Sequence, residues 1–162
     1  MRRSEGVKKM AGFKIEKIIS GGQTGADRAA LDWALERQVS HGGWCPKGRK
    51  AEDGIVPVKY DLTETPSEDY AQRTEWNVRD SDMTVIFTEF PDLSGGSLLT
   101  AQLASKYRKA WIHLPWGGDG IQQLKSFLEF HKPKVLNIAG PRASHEPNVG
   151  KWVRKALDGA LL

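Results

Sequence analysis

Residues 13–33 constrain the fold more than any other stretch of the chain. Phe-Lys-Ile-Glu-Lys-Ile-Ile-Ser runs into Gly21-Gly22-Gln23-Thr24-Gly25, and a helical pattern begins at once. Gly21, Gly22 and Gly25 allow backbone to approach a ligand where a Cβ would block it. Amides at the start of the following helix favour an anion. The expectation is a strand, an oxyanion-binding turn and a helix over Thr24–Gln38. Ala26, Ala30, Trp33 and Ala34 make that helix's apolar side, widened by Leu31 and Leu35. Gln23 and Thr24 are expected to touch ligand. Thr24 and Asp27 have capping-box spacing, so Asp27 either satisfies helix amides or contacts the ligand.

The same grammar repeats. A second strand over His41–Pro46 leads into Lys47-Gly-Arg-Lys, a loop whose Lys47, Arg49 and Lys50 make either a cationic lid over an anion or a solvated basic surface. A short third strand is expected over Val58–Leu62. Thr65-Pro66-Ser67-Glu68 reads as a helix start, with Thr at the N-cap and Pro at N1, and the helix should end near Asp80. One face of that helix carries Tyr70, Arg73, Thr74, Asn77, Val78 and Ser81. A buried polar face needs partners, so Arg73 and Asn77 read as ligand or loop anchors, with a plain structural network as the alternative.

Met83–Glu89 is a continuous apolar strand of the kind covered on both faces. It leads to Ser94-Gly95-Gly96-Ser97 and a helix to Lys109, a second strand–glycine turn–helix unit. Further strands are expected at Ala110–Leu114 and Lys134–Ala139, and further helices around Ile121–Leu128 and from Asn148 to Leu162. Six strands alternating with helices predict an α/β fold: a single-domain, Rossmann-like, open and mainly parallel sheet with helices on both faces. Ligands bind beyond the carboxyl ends of such strands, where strand order reverses. In the order 3-2-1-4-5-6, strands 1 and 4 are neighbours there, so the two glycine turns would face one crevice.

Composition narrows the partners. With 162 residues, 39% hydrophobic and 27% charged, the chain is long and apolar enough for one core. No apolar run approaches the roughly 20 residues that span a bilayer, so no membrane partner and a cytoplasmic location are expected. Of the net charge of +4, +3 falls within the first ten residues. Residues 1–12 read as a disordered basic tail and residues 13–162 as the domain. That leaves no basic face of the domain's own, hence no nucleic-acid partner. Cys45 is the only cysteine, which excludes a disulfide framework and reads as a small buried residue. His41, His113 and His131 lack metal-ligand spacing, and no metal site is expected.

Four stretches carry a family resemblance: Ser20-Gly-Gly-Gln-Thr-Gly-Ala-Asp-Arg-Ala-Ala-Leu-Asp, Gly43-Trp-Cys-Pro-Lys-Gly-Arg-Lys-Ala-Glu-Asp-Gly, Arg73-Thr-Glu-Trp-Asn-Val-Arg-Asp-Ser-Asp and Leu136-Asn-Ile-Ala-Gly-Pro-Arg. With them the chain resembles the molybdenum cofactor carrier proteins, within the Rossmann-like superfamily that includes the "lonely guy" phosphoribohydrolases. The resemblance spans about Lys14 to Gly140. It implies a nucleotide or pterin-phosphate ligand, such as the molybdenum cofactor, a homo-oligomer, and molybdoenzymes as recipients. The phosphoribohydrolase relatives carry a catalytic glutamate after their second glycine turn. Here Ala101 or Gln102 stands in its place. Glu89 and Asp92 on the same loop read as loop or capping carboxylates, with substitution for the missing acid as the alternative. Beyond Arg142 the chain also departs from the family pattern, at His145-Glu-Pro-Asn-Val.

These residues point to a small anionic ligand bound without catalysis. The expected contact set is Gly21, Gly22, Gln23, Thr24, Gly25, Asp27, Lys47, Arg49, Arg73, Asn77, Ser94, Gly95, Gly96, Ser97 and Arg142. The alternative is N-glycosidic hydrolysis of a nucleoside monophosphate, which needs a carboxylate to assist the sugar cation or activate water. A dinucleotide-dependent oxidoreductase is disfavoured. The first turn is Gly-Gly-x-x-Gly, and Cys45-Pro46-Lys47 stands where a ribose-binding acid would be.

Overall fold

The computed structural model describes residues 14–162, so the basic segment 1–12 lies outside the described residues. Five strands form one parallel sheet: β1 (Lys17–Ile19), β2 (Ser40–Gly42), β7 (Met83–Thr88), β8 (Ala110–Pro115) and β9 (Val135–Ala139). Their order is β2-β1-β9-β7-β8. This corrects the expected strand order. The last strand, β9, pairs with both β1 and β7, so those two are not neighbours. The switch point survives with β9 at its centre, and three loops open onto it instead of two.

Alternation along β7 explains the two layers. Met83, Val85 and Phe87 point into the main core, with Leu136 and Ile138 of β9 beside them. Helices α1 (Ala26–Glu36), α4 (Gly120–His131) and α5 (Val149–Leu161) cover that face. Trp33 of α1 is buried, and its Nε1 donates to Asp158 Oδ1 at 2.8 Å, satisfying the one polar atom that its burial would strand. The opposite face is narrower and partly polar. There α2 (Tyr70–Arg79) and α3 (Gly95–Lys106) pack together around Val78, Leu103 and Ala104. Beneath them Asn137 Nδ2 donates to Thr84 Oγ1 at 3.1 Å across β9 and β7.

The segment after β2 departs from the sequence expectation. The expected strand over His41–Pro46 breaks at Gly43, which has φ +123°, a region that favours glycine. The chain resumes as β3 (Trp44–Cys45), which pairs in parallel with β6 (Thr63–Glu64). Between them β4 (Lys50–Ala51) and β5 (Gly54–Ile55) make a small antiparallel hairpin. Val58–Leu62 is not a strand. Val58 is 94% exposed, while Tyr60 and Leu62 bury against Leu31, Cys45, Ala51 and Val56. Cys45 is thus a small core residue.

Helix α2 also starts later than expected. Asp69, not Thr65, is its N-cap and accepts from the Ala71 amide at 3.1 Å. Thr65 is buried and donates to the Ser67 carbonyl at 2.9 Å, closing a local turn instead. The end of the helix at Arg79, with Asp80 as C-cap, is where the pattern put it.

Candidate functional site

The carboxyl ends of β1, β9 and β7 release three loops, 20–25, 140–148 and 89–94, around one cleft. A cavity of about 330 Å³ is lined by residues of all three loops and of α2 and α3. A smaller recess of about 60 Å³ continues beneath it against β9, lined by Gly21, Asp27, Arg73, Asn77, Gly96 and Asn137 among others. Of the expected contact set, Gly21, Gln23, Asp27, Arg73, Asn77, Ser94, Gly95, Gly96, Ser97 and Arg142 line one or both cavities.

At the floor lies a buried ion pair. Asp27 is 6% exposed and Arg73 8%. Arg73 Nη1 sits 3.5 Å from Asp27 Oδ2 and donates to the Gly21 carbonyl at 2.8 Å. Arg73 Nε donates to Thr74 Oγ1 at 3.3 Å. Asp27 Oδ2 also accepts from the Gln23 amide at 3.2 Å. Burial pushes the Asp27 carboxyl above the usual aspartate range, and the Arg73 charge only partly opposes that. Thus Asp27 serves its own helix and faces the cleft at once. Thr24 is not its capping partner: the N-cap of α1 is Gly25, with no side-chain cap.

The first glycine turn is filled by protein. A Cβ on Gly21 would strike the Arg73 guanidinium, with Cδ at 2.8 Å. One on Gly22 would meet Leu62 Cδ1 at 2.7 Å, and one on Gly25 the Pro141 carbonyl oxygen at 2.5 Å. Much of the turn's hydrogen bonding is also taken up internally. The Thr24 amide donates to Gln23 Oε1 at 3.1 Å and the Ala26 amide to the Pro141 carbonyl at 3.3 Å. Gly22, Thr24 and Gly25 are therefore packing positions behind the cleft wall. Gly25→Ala combines a φ of +81° with a clash against the 141–143 backbone. With ψ at −125° this backbone region is sparsely populated by residues other than glycine and costs on the order of 1–3 kcal/mol, so a loss of unfolding free energy of at least about that size is expected from a chemical unfolding curve.

The second glycine turn is open. Among the described residues nothing lies within 4 Å of a Cβ built on Gly95 or Gly96. Ser94 caps α3 without a side-chain hydrogen bond, and the Ser97 and Leu98 amides turn back to the Ser94 carbonyl at 3.1 and 3.2 Å. The Gly95 and Gly96 amides find no acceptor among the described residues. The open helix N-terminus at this cleft is therefore that of α3.

One further donor is unsatisfied. Gln23 is 4% exposed, and its Oε1 accepts the Thr24 amide and the Glu52 amide, the latter at 2.9 Å. Two N–H groups on one atom fix the amide's orientation, since the flipped form would set donor against donor. That leaves Nε2 buried, at the cleft wall, with no partner among the described residues.

Tyr70 stands at the mouth with three cations around its ring: Arg73 Cζ at 5.1 Å, Lys50 Nζ at 5.2 Å and Arg142 Cζ at 5.4 Å. Lys47 and Arg49 are not brought to the cleft. Arg49 is spent on four carbonyls, those of Val56, Leu62, Pro57 and Tyr60, at 2.8–3.2 Å. It holds the 56–62 segment in place of a strand. Lys47 is exposed. Asn77 lines the recess, but its amide closes both hydrogen bonds of Trp44, from the amide at 2.8 Å and to the carbonyl at 3.0 Å. On the α2 face Asn77 thus anchors a loop, while Arg73 lines both cavities.

The rim is tied together by two carboxylates, Glu52 and Glu89. Glu52, at the hairpin turn, accepts from Thr24 Oγ1, from Ser144 Oγ at 2.5 Å and from the Ser144 amide at 3.2 Å. These bonds hold its carboxyl below the usual glutamate range. Glu89 accepts from the Asn148 amide at 3.0 Å and its own amide donates to Glu146 Oε1 at 2.5 Å. Glu89 therefore joins two loops, while Asp92 lines the cleft. Thr88 donates to the Phe90 carbonyl at 2.6 Å, so His113 Nε2, 2.7 Å away, must be the donor to Thr88 Oγ1. Asn137 and Glu52 escaped notice for different reasons. Asn137 had a signal, a polar residue inside an apolar central strand. Glu52 had none, because its partners lie 28 and 92 residues away.

Where the phosphoribohydrolase glutamate would stand, Ala101 is buried and Gln102 is exposed. Among the described residues no group of three or more metal-type ligands occurs, and no helix is long and apolar enough to cross a membrane. The cleft can hold an anion between Arg73, Arg142, Gln23 Nε2 and the α3 amides.

The profile of the circularly permutated YpsA SLOG family matches residues 18–161. The chain is similar to a candidate molybdenum carrier protein from Syntrophus aciditrophicus SB, known from a crystal structure. The two share 46% identity over 96% of this chain and 98% of that one, with a TM-score of 0.90. A solved (E)-4-hydroxy-3-methyl-but-2-enyl diphosphate reductase aligns at 8% identity and a TM-score of 0.40, over 89% of this chain and 59% of that one, too distant to bear on function. Among curated proteins no match was found.

Proposed function

The chain belongs to the circularly permutated YpsA SLOG family, and from that premise we propose that it carries an anionic pterin- or nucleotide-type cofactor, of which the molybdenum cofactor is the first candidate, without transforming it. One observation bears most of the weight. Donors without protein partners converge on the cleft, namely the Gly95 and Gly96 amides and Gln23 Nε2, beside Arg73 and Arg142. Gln23 Nε2 is buried, and a buried donor left unpaired is costly unless a ligand supplies an acceptor; the Gly95 and Gly96 amides are exposed to the cleft and open to a ligand. The similarity to the Syntrophus protein supports the molybdenum assignment. The absence of an acid at Ala101 and Gln102 supports carriage over hydrolysis. In this reading the protein works in the cytoplasm as a homo-oligomer and passes its cargo to molybdoenzymes.

Native mass spectrometry of freshly purified protein should reveal an adduct of pterin or nucleotide size. Gly96→Asp should abolish the adduct, because its carboxylate would project into open cleft space without disturbing the fold. Like-charge opposition there is expected to weaken binding by at least about tenfold. Absence of an adduct, together with no heat of binding for nucleotides, pterins or molybdate, would overturn the carrier reading. Release of free base from nucleoside monophosphates would replace it with N-glycosidic hydrolysis.

A further inference from the structure

Charge around the cleft makes a more specific demand. Its lining holds Arg73 and Arg142 against three carboxylates, Asp27, Asp92 and Glu146. A doubly charged group entering between Arg73 and the Gly96 amide lies beside Asp27, because all three line both the recess and the outer cavity. Among the described residues Arg73 is the one guanidinium lining the recess, and two anionic groups sharing that space oppose each other's charge, which favours protonation of one of them. We propose that the cleft takes a tetrahedral dianion, a free oxyanion or a terminal phosphoryl group, with Asp27 in its neutral, protonated form donating a hydrogen bond to it.

The geometry suits this division of labour. Asp27 Oδ2 is held by the Gln23 amide and faces Arg73. The Ser20 hydroxyl also serves the carboxylate, and the Asp27 side chain lines both the recess and the outer cavity, where a protonated carboxyl can reach a ligand. Gln23 Nε2, buried and unpartnered on the same wall, supplies a neutral donor. The open α3 amides supply two more. The recess of about 60 Å³ is the size of one small polyatomic ion, not of a ring system. Burial already raises the Asp27 carboxyl above the usual aspartate range before any ligand arrives, against the opposing Arg73 charge.

Other charged groups face Asp27 from each neighbouring element. From α2 comes Arg73 and from its own helix Arg28, which is paired with Asp53 at 2.5 Å. The hairpin places Glu52 behind Gln23, the 89–94 loop brings Asp92, and the 140–148 loop brings Arg142, His145 and Glu146. Helix α3 brings amides and the Ser97 hydroxyl. All of these remain when Asp27 alone is changed, so an Asp27→Asn variant isolates its proton.

This inference rests on the carrier reading of the cleft, and the test separates the two. Sulfate and molybdate do not titrate between about pH 6 and about pH 9, so calorimetric affinity for either across that range reports protein protons only. Above the pKa of Asp27 the wild-type affinity should fall about tenfold per pH unit, the slope for one linked proton. In Asp27→Asn it should be flat over the same range. Binding of both ions marks a general oxyanion site, and binding of molybdate alone marks one matched to molybdenum. Infrared difference spectra of the wild-type complex at neutral pH should contain the C=O stretch of a neutral carboxylic acid, which requires no variant. A flat wild-type profile, an equal slope in both proteins, a missing carboxylic acid band, or failure of both ions to bind would overturn the inference. A wild-type protein that binds neither ion but copurifies with an organic cofactor overturns it while leaving the carrier reading intact. Proton-linked sulfate binding without any organic cofactor does the reverse.

Discussion

Arg73→Ala is expected to destabilise the fold by about 3–5 kcal/mol at neutral pH, the range for removing one partner of a buried ion pair. Asp27 would lose the cation 3.5 Å from its carboxylate, and the Gly21 carbonyl would lose its donor. The gap would open beneath Gly21, where the arginine stem now fills the place of a side chain. Loss should depend on pH in a definite direction. Asp27 is raised in the folded protein, so the native state holds its proton to higher pH than the unfolded chain. Stability therefore falls as pH rises from the unfolded aspartate pKa of about 3.9 towards the folded value. Without Arg73 that decline becomes longer, and the variant should approach wild type only in mild acid. Adding Asp27→Asn should recover much of the loss, because no uncompensated charge then remains. Urea unfolding of wild type, both single variants and the double variant gives the coupling directly. Strict additivity would mean that the pair is not coupled.

Trp152→Ala is expected to cost about 3–5 kcal/mol as well, by another route, that of emptying a large core site. Trp152 is buried, packs edge-on against Phe87 with centroids 5.9 Å apart, and donates from Nε1 to the Leu114 carbonyl at 2.8 Å. Its ring also fills the space left by Gly120, where an added Cβ would lie 3.0 Å from Cζ2. The indole thus joins α5, β7, β8 and the start of α4. For a chain of this length the loss corresponds to a fall in Tm on the order of 10 °C. Trp152→Phe should recover most of the packing but leave the Leu114 carbonyl unpaired, retaining about 1 kcal/mol of the deficit. Scanning calorimetry of the three proteins checks both steps.

Much of this fold was legible because its signals are local. Helix α1 and strand β7 were found from their own periodicity, and α5 from Val149, Trp152, Val153, Ala156 and Leu157. Strand order was not legible. Nothing within Val-Leu-Asn-Ile-Ala tells that β9 inserts between β1 and β7, since that depends on edges far off in the chain, with Lys17 opposite Val135 and Met83 opposite Leu136. The candidate site divides similarly. Sequence located both glycine turns and Arg73, but could not tell a glycine vacated for ligand from one vacated for protein. Gly21 and Gly95 look alike in sequence, yet one is filled by an arginine and the other by open space. The basic loop failed for a related reason. The charge of Arg49 advertised an anion, whereas its guanidinium satisfies four carbonyls that sequence alone cannot bring to it.

The central place of β9 sets a timetable for synthesis. While the ribosome is still making residues before Val135, β1 with β2 and β7 with β8 can pair, but the two ribbons share no edge. Each exposes an inner strand edge that only β9 can fill, and such edges invite pairing with other chains. Closure of the sheet, and with it assembly of the cleft, must then wait until β9 has left the exit tunnel. Nascent chains halted before β9 should be protease-sensitive and prone to associate. Gain of a compact core should come as one late event, not as steady accretion along the chain.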